Sequence, residues 1–275
     1  MNAPISDFRT KGFVALSYPE DIRLAVSLVI EQLKQFCALP SALKGLPYSS
    51  NSAGVGYEFK DGSGINGDWK ENLDVTLSAA EWLKDRAEVI KHPVTLKLIE
   101  SATTLVEILK PLVVDFAQQL QDTFKIAGLL EEVKQGEDAF FVRFIHYPGN
   151  RRIGEEIATP HVDQSGFTLH LFETAPGLQY LTYKGEWVNM PVSQGETVVI
   201  PAMQMQLRSG GKIKALCHRV VATVKTADVG RYSAVCFVQL KQTPKYDKRW
   251  GRLQERPPGF NYKLPHERFV HLFRE

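Results

Sequence analysis

His161-Val162-Asp163 sets an imidazole and a carboxylate two residues apart inside β-like sequence. On a strand, residues two apart share a face. Both groups therefore converge on one point, which suits a divalent transition metal. Alone such a pair is a weak signal; its company strengthens it. Cys217-His218-Arg219-Val220-Val221 carries a single histidine into a β-branched run, and Arg231-Tyr232-Ser233 opens another run with Arg and Ser on one face. Two histidines and one carboxylate leave several positions of an iron open, the arrangement associated with non-haem iron(II) chemistry. An arginine with hydroxyl neighbours makes a fixed anchor for a carboxylate.

Other side chains are placed by the same alternation. Phe141 to Pro148 reads as a strand, and if Tyr147 faces inward, Arg143 and Ile145 do too. Phe237 and Gln239 follow Ser233 at even spacing. Arg143, Phe237 and Gln239 are therefore candidates to line a substrate pocket, although the same positions could be barrel filling. His170 lies an odd number of residues from His161 and Asp163, so on one continuous strand it would face away from the metal. Gly166 between them could reset that alternation. His146 opposes Tyr147, and Cys217 points away from the site its neighbour serves. His92, His266 and His271 have no partner in sequence. Gly62-Ser63-Gly64-Ile65-Asn66-Gly67 fits a dinucleotide pattern, but polar Lys60-Asp61 precedes it and no βαβ unit follows, so it reads as a surface loop.

The elements that must position these residues divide the chain in two. Apolar residues recur at helical spacing from Asp21 to Leu39, and His92 to Phe124 is a longer helical stretch that Pro111 should kink or break. Ser78 and Glu81 have the spacing of a capping box for a short helix through about Ala87. Lys11 to Ser17 could be a short strand, and Ser49 to Asp68 is a loop rich in Gly, Ser and Asn. The second half reads β: Phe140–Tyr147, Phe167–Phe172, Leu178–Tyr183, Thr197–Pro201, Arg219–Val224 and Tyr232–Leu240 are short runs separated by turn residues. Such spacing suggests a sandwich or barrel. The expected organisation is a mostly helical region over 1–136, a β core over 137–243 and a C-terminal extension over 244–275, where basic Lys245 to Arg256 reads as a solvated helix.

Composition sets outer bounds. The chain has 275 residues, 44% hydrophobic and 23% charged, with a formal net charge of +2. That near-neutral balance argues against a protein built to neutralise phosphates, and hence against nucleic acid as a partner. Three cysteines, Cys37, Cys217 and Cys236, without C-x-x-C spacing give neither a disulfide framework nor a zinc knuckle. The first residues lack the order of a signal peptide, and no apolar run reaches the ~18 residues that span a bilayer. The reading is cytoplasmic, with no membrane partner; oligomeric state does not follow.

Taken together, Arg143 to Pro148, His161-Val-Asp163, Gly177-Leu-Gln179, Trp187-Val188, Cys217 to Val221 and Arg231-Tyr-Ser233 resemble the iron(II)/2-oxoglutarate-dependent dioxygenases, in particular the isopenicillin N synthase-like branch. Gly12-Phe13-Val14, Phe36 to Pro40 and Asp68 to Glu71 look like landmarks of the same family. The resemblance implies a mainly β fold with helices: a double-stranded β-helix, or distorted jelly roll, wrapped by N-terminal helices. It implies Fe(II) held by His161, Asp163 and His218, and O2 and 2-oxoglutarate as co-substrates. It further implies Arg231, Ser233 and Tyr147 as the anchor of the 2-oxoglutarate distal carboxylate, and a small organic molecule as the substrate, most simply hydroxylated with release of succinate and carbon dioxide. Two readings share the fold: an iron oxidase that does not use 2-oxoglutarate, and a non-catalytic ligand-binding relative.

Overall fold

Stretches with helical periodicity fold as helices, and the short β-branched runs pair antiparallel into two sheets. The computed structural model describes residues 5–44, 55–62, 69–136, 138–191, 195–209 and 211–241. In chain order the elements are α1 (Asp7–Thr10), β1 (Val14–Ser17), α2 (Glu20–Cys37), β2 (Gly56–Asp61), β3 (Trp69–Val75), α3 (Ala80–Ile90), α4 (Pro93–Phe124), α5 (Leu129–Gln135), β4 (Phe140–Tyr147), β5 (Glu156–His161), β6 (Phe167–Glu173), β7 (Leu178–Leu181), β8 (Trp187–Asn189), β9 (Glu196–Pro201), α6 (Met203–Arg208), β10 (His218–Val221) and β11 (Arg231–Val238).

The larger sheet has seven strands in the order β1-β9-β6-β11-β4-β3-β2, and the smaller has four, β5-β10-β7-β8. Alternation along the large sheet sorts its residues to two sides. Val142, Phe144, Leu169, Leu171, Ala234, Cys236 and Val238 join a core with Val26, Val29 and Leu33 of α2 and Leu105, Leu109 and Phe116 of α4. Their neighbours Ile145, Tyr147, Val198, Ile200 and Val235 face the other way and pack against Ile157, Leu178 and Val220 of the small sheet. The result is a distorted jelly roll with helices on the outer face of the larger sheet.

Local differences from the sequence reading have identifiable causes. Part of the expected loop over Ser49–Asp68 is β2, which pairs antiparallel with β3 and so extends the large sheet from the otherwise helical N-terminal region. The glycine pattern lies mostly outside the described residues, and the next described element after it is a strand. Ser78 does not cap α3; its hydroxyl donates to the Asp138 carboxylate at 2.6 Å, and Thr76 accepts from the Ala79 N–H instead. Helix α4 runs through Pro111, which is exposed, without a break. The C-terminal extension, with its basic segment, His266 and His271, lies outside the described residues. Among the described residues no helix is long and apolar enough to cross a membrane.

Candidate active site

The small sheet brings the two histidines together. β10 pairs antiparallel with β5 so that His218 lies directly opposite His161, and their rings are 4.3 Å apart. β5 ends at His161, and the chain then turns, which brings Asp163 beneath both rings. Each imidazole is pinned from behind: His161 Nδ1 is 2.7 Å from the Thr159 carbonyl and His218 Nδ1 is 3.1 Å from the Leu216 carbonyl. A carbonyl only accepts, so both Nδ1 atoms donate and both Nε2 atoms keep a lone pair. Those Nε2 atoms lie 3.6 and 3.7 Å from the same oxygen, Asp163 Oδ1. The other carboxylate oxygen is held at 2.6 Å by the Thr168 hydroxyl.

This donor set fits iron(II). His161, Asp163 and His218 each offer one ligand atom, and these atoms lie within 4.8 Å of one another. Two imidazoles and a carboxylate on one side leave the opposite side open, and every ligand has an outer partner that fixes its orientation. Burial, the largest influence on Asp163, pushes its carboxyl up, but His218, His161 and the Thr168 hydroxyl together hold it below the usual carboxylate range. The ligand is thus kept ionised in a buried place.

Arg231 begins β11 on the large sheet, whereas the two histidines lie on the small one. Arg231 pairs with Tyr147, and Ser233 pairs with Ile145, so Arg231, Ser233 and Tyr147 share the inward face. All three are buried. Gly230 allows this register: its φ is +82°, and a Cβ there would lie 2.6 Å from the Tyr147 carbonyl. Arg231 Nε donates to the Ala175 carbonyl at 3.1 Å, and Nη2 donates to Glu173 Oε2. The anchor therefore has an internal carboxylate partner that sequence spacing did not reveal.

The expected pocket residues occupy the other end of the same face. Phe237 pairs with Phe141 and with Thr168, which holds Asp163. The Phe141 and Phe237 rings stack at 5.0 Å, with the Arg143 guanidinium 5.7 and 5.5 Å from them. Arg143 is inward, as expected, but its charge is met: Nε and Nη2 donate to the two oxygens of Asp74 at 2.7 and 2.6 Å. Asp74 is fully buried, and that burial raises its pKa against the pull of Arg143. Gln239, half-buried just past β11, accepts from Gln204 at 3.3 Å.

His170 is the main departure from the sequence reading. β5 stops at His161 and β6 begins at Phe167, so alternation restarts and His170 faces inward opposite Val235. Its ring lies 6.0 Å from that of His218. Burial pushes the imidazole down to about 3. It is neutral. Thr168 and His170 were legible only once the break near Gly166 was known. His146 does oppose Tyr147: it stacks on Tyr232 at 4.3 Å and lies 3.0 Å from Glu71 on the helix side. Burial raises the Cys217 thiol to about 12, which suits an inert residue packed with Val162 and Met203.

Two imidazoles and a carboxylate on a jelly roll form a donor set that could hold one metal ion. Residues 136–240 match the model of the 2OG-Fe(II) oxygenase superfamily. The 2-oxoglutarate-dependent dioxygenase 19 of Oryza sativa subsp. japonica is 26% identical over 174 residues, 60% of this chain and 50% of that protein. The chain thus spans about half the length of this curated relative. Among solved structures, the dioxygenase for auxin oxidation in rice superposes with a TM-score of 0.66 at 18% identity, over 86% of this chain and 76% of that one. A Neurospora crassa protein crystallised with alpha-KG and thymine gives 0.66 at 17%, over 97% and 89%.

Proposed function

We propose that the chain is an iron(II)- and 2-oxoglutarate-dependent dioxygenase that hydroxylates a small organic molecule, with release of succinate and carbon dioxide. One observation carries this reading: two Nε2 lone pairs, each fixed by a backbone carbonyl behind it, meet one oxygen of Asp163, with a buried arginine on the other sheet. His161, Asp163 and His218 would hold the metal, and Arg231, Ser233 and Tyr147 the distal carboxylate of 2-oxoglutarate. Bound together, Fe(II), 2-oxoglutarate and O2 would supply an oxidation in which one oxygen atom goes to succinate and the other to the substrate.

The chain's own residues then do the positioning. The Thr159 and Leu216 carbonyls lock the imidazole tautomers, and Thr168 keeps Asp163 Oδ1 turned toward the two rings. Ile145, Val198, Val220 and Val235 keep water from the chamber between the sheets. Phe141 and Phe237, beside the neutralised Arg143–Asp74 pair, with Gln239 at the rim, form the wall a substrate would meet. Stacked rings next to a pair without net charge favour a flat, largely apolar molecule over an anion. The auxin-oxidation dioxygenase and the thymine complex among the structural relatives are consistent with a small molecule.

Succinate formed from 2-oxoglutarate by the purified chain with Fe(II) in air tests the reading. Turnover should require the metal and should vanish in His161→Ala and Asp163→Ala. Succinate formed equally by both variants would contradict it.

A further inference from the structure

A buried nitrogen without a partner needs one, because leaving it unmet costs the desolvation of the group. His170 Nε2 is such an atom, and Arg23 Nε on α2 is another. Both residues line one cavity of about 360 Å³, together with Tyr18, Glu173 and Leu178. Two unmet nitrogens lining one cavity fit a ligand that brings acceptor oxygens.

The position of His170 narrows which ligand. It projects from β6 on the inward face, opposite Val235, which lies two residues from Ser233 on β11. Its ring is 6.0 Å from that of His218 on one side. Glu173, which lines the same cavity, is the residue Arg231 already binds. His170 thus shares the inward face with Arg231 and Ser233 and lies beside His218.

We propose that His170 contacts the co-substrate, its Nε2–H donating to an oxygen of the oxo-acid chain that lies between the metal and Arg231. The inference rests on the function proposed above and adds a residue that neither the metal triad nor the arginine motif contains. A neutral imidazole can offer either a proton or a lone pair at Nε2; against a dianion it offers the proton. Such a contact selects a 2-oxo dicarboxylate over a ligand that binds through the arginine alone.

The test compares wild type, His170→Leu and His170→Gln, each as the full chain. Fe(II) affinity is measured first, then 2-oxoglutarate binding under anaerobic conditions by calorimetry and by the visible charge-transfer absorption of the iron–oxo-acid complex. His170→Leu should bind Fe(II) as wild type does but 2-oxoglutarate about tenfold more weakly, with a shifted absorption maximum. His170→Gln, which restores a donor, should recover most of the affinity. Equal 2-oxoglutarate affinity in wild type and His170→Leu would overturn the role of His170 while leaving the proposed function standing. Loss of Fe(II) binding in both variants would assign His170 to structure instead. No 2-oxoglutarate binding by metal-loaded wild type would overturn the proposed function, and this inference with it.

Discussion

At the scale of single residues, the site depends as much on atoms behind the ligands as on the ligands. Thr168 holds the Asp163 oxygen other than the one near the histidines, so it would decide which oxygen a metal at the triad meets. Outer partners of this kind are worth about tenfold or more in metal affinity. Thr168→Val, nearly the same shape without the hydroxyl, should weaken Fe(II) binding by about that factor in a competition titration with a chelator, with the fold's melting temperature little changed. Glu173 has the opposite effect. Its carboxylate occupies Arg231 Nη2, while the Ala175 carbonyl separately fixes Nε. Replacing it by Gln frees an anionic contact without releasing the arginine, so Glu173→Gln should tighten 2-oxoglutarate by about tenfold. Weaker binding measured by calorimetry would show that Glu173 orients the anchor instead of competing for it. That His161, Asp163 and His218 come together, and that Arg231 and Ser233 share a face, was legible because each lies in a short motif whose spacing has a geometric meaning. Glu173 and Asp74 were not, because each finds its arginine only through strand pairing or a distant turn.

At the scale of elements, the strands that carry the site are braced from the helix side. Behind Tyr147 and Arg231 lie His146 and Tyr232, stacked, and His146 meets Glu71 of β3. Glu71 Oε2 accepts from Lys44 at 2.8 Å and from Tyr57 at 2.6 Å. Burial, the largest influence on Glu71, pushes its carboxyl up, but the bonds from His146, Lys44 and Tyr57 outweigh it and hold the group down to about 2, from an ordinary 4.5. A depressed carboxyl stabilises the fold above its unfolded value and loses that contribution as pH falls through its folded value. Stability by denaturant titration should therefore fall between about pH 4.5 and about pH 2, and Glu71→Gln should flatten that slope. At neutral pH, Glu71→Ala strands Lys44 and should cost about 3 kcal/mol; a loss below about 0.5 kcal/mol would show that the network is only a surface pairing. The strands of this network illustrate what sequence patterning misses. β2 and β3 were read as loop or left unassigned: β2 is short, amphipathic and mostly exposed, and β3, Trp69-Lys-Glu-Asn-Leu-Asp-Val75, carries polar residues that are buried only because they meet each other and β4. β4, β6, β9 and β11, by contrast, are rich in apolar and β-branched residues, and their positions were legible to within a residue or two.

At the scale of the whole molecule, the two cores have separate duties. The larger one, between the seven-stranded sheet and helices α2 and α4, holds the scaffold. The smaller one packs between the two sheets. That division explains how the chamber's inward face can carry Arg231, Ser233, Asp163, His170 and His218, buried polar groups that would be costly in a core serving stability alone. The fold class was legible because the long helical stretches lie before residue 137 and most of the strand-like runs after it. The alternation of His170 was not, because the turn between β5 and β6 resets the face, and no local residue states where the new count begins.

The central claim is that one chamber binds Fe(II) at the triad and 2-oxoglutarate at Arg231. Anaerobic titration of Fe(II) and then 2-oxoglutarate into the purified chain tests it most directly, through the visible charge-transfer absorption that requires both on one metal. The account predicts absorption that saturates at one equivalent of each and is lost at the same concentrations in Arg231→Met, although that variant still binds Fe(II). Iron binding without the absorption in wild type, or absorption of equal strength in Arg231→Met, would contradict it.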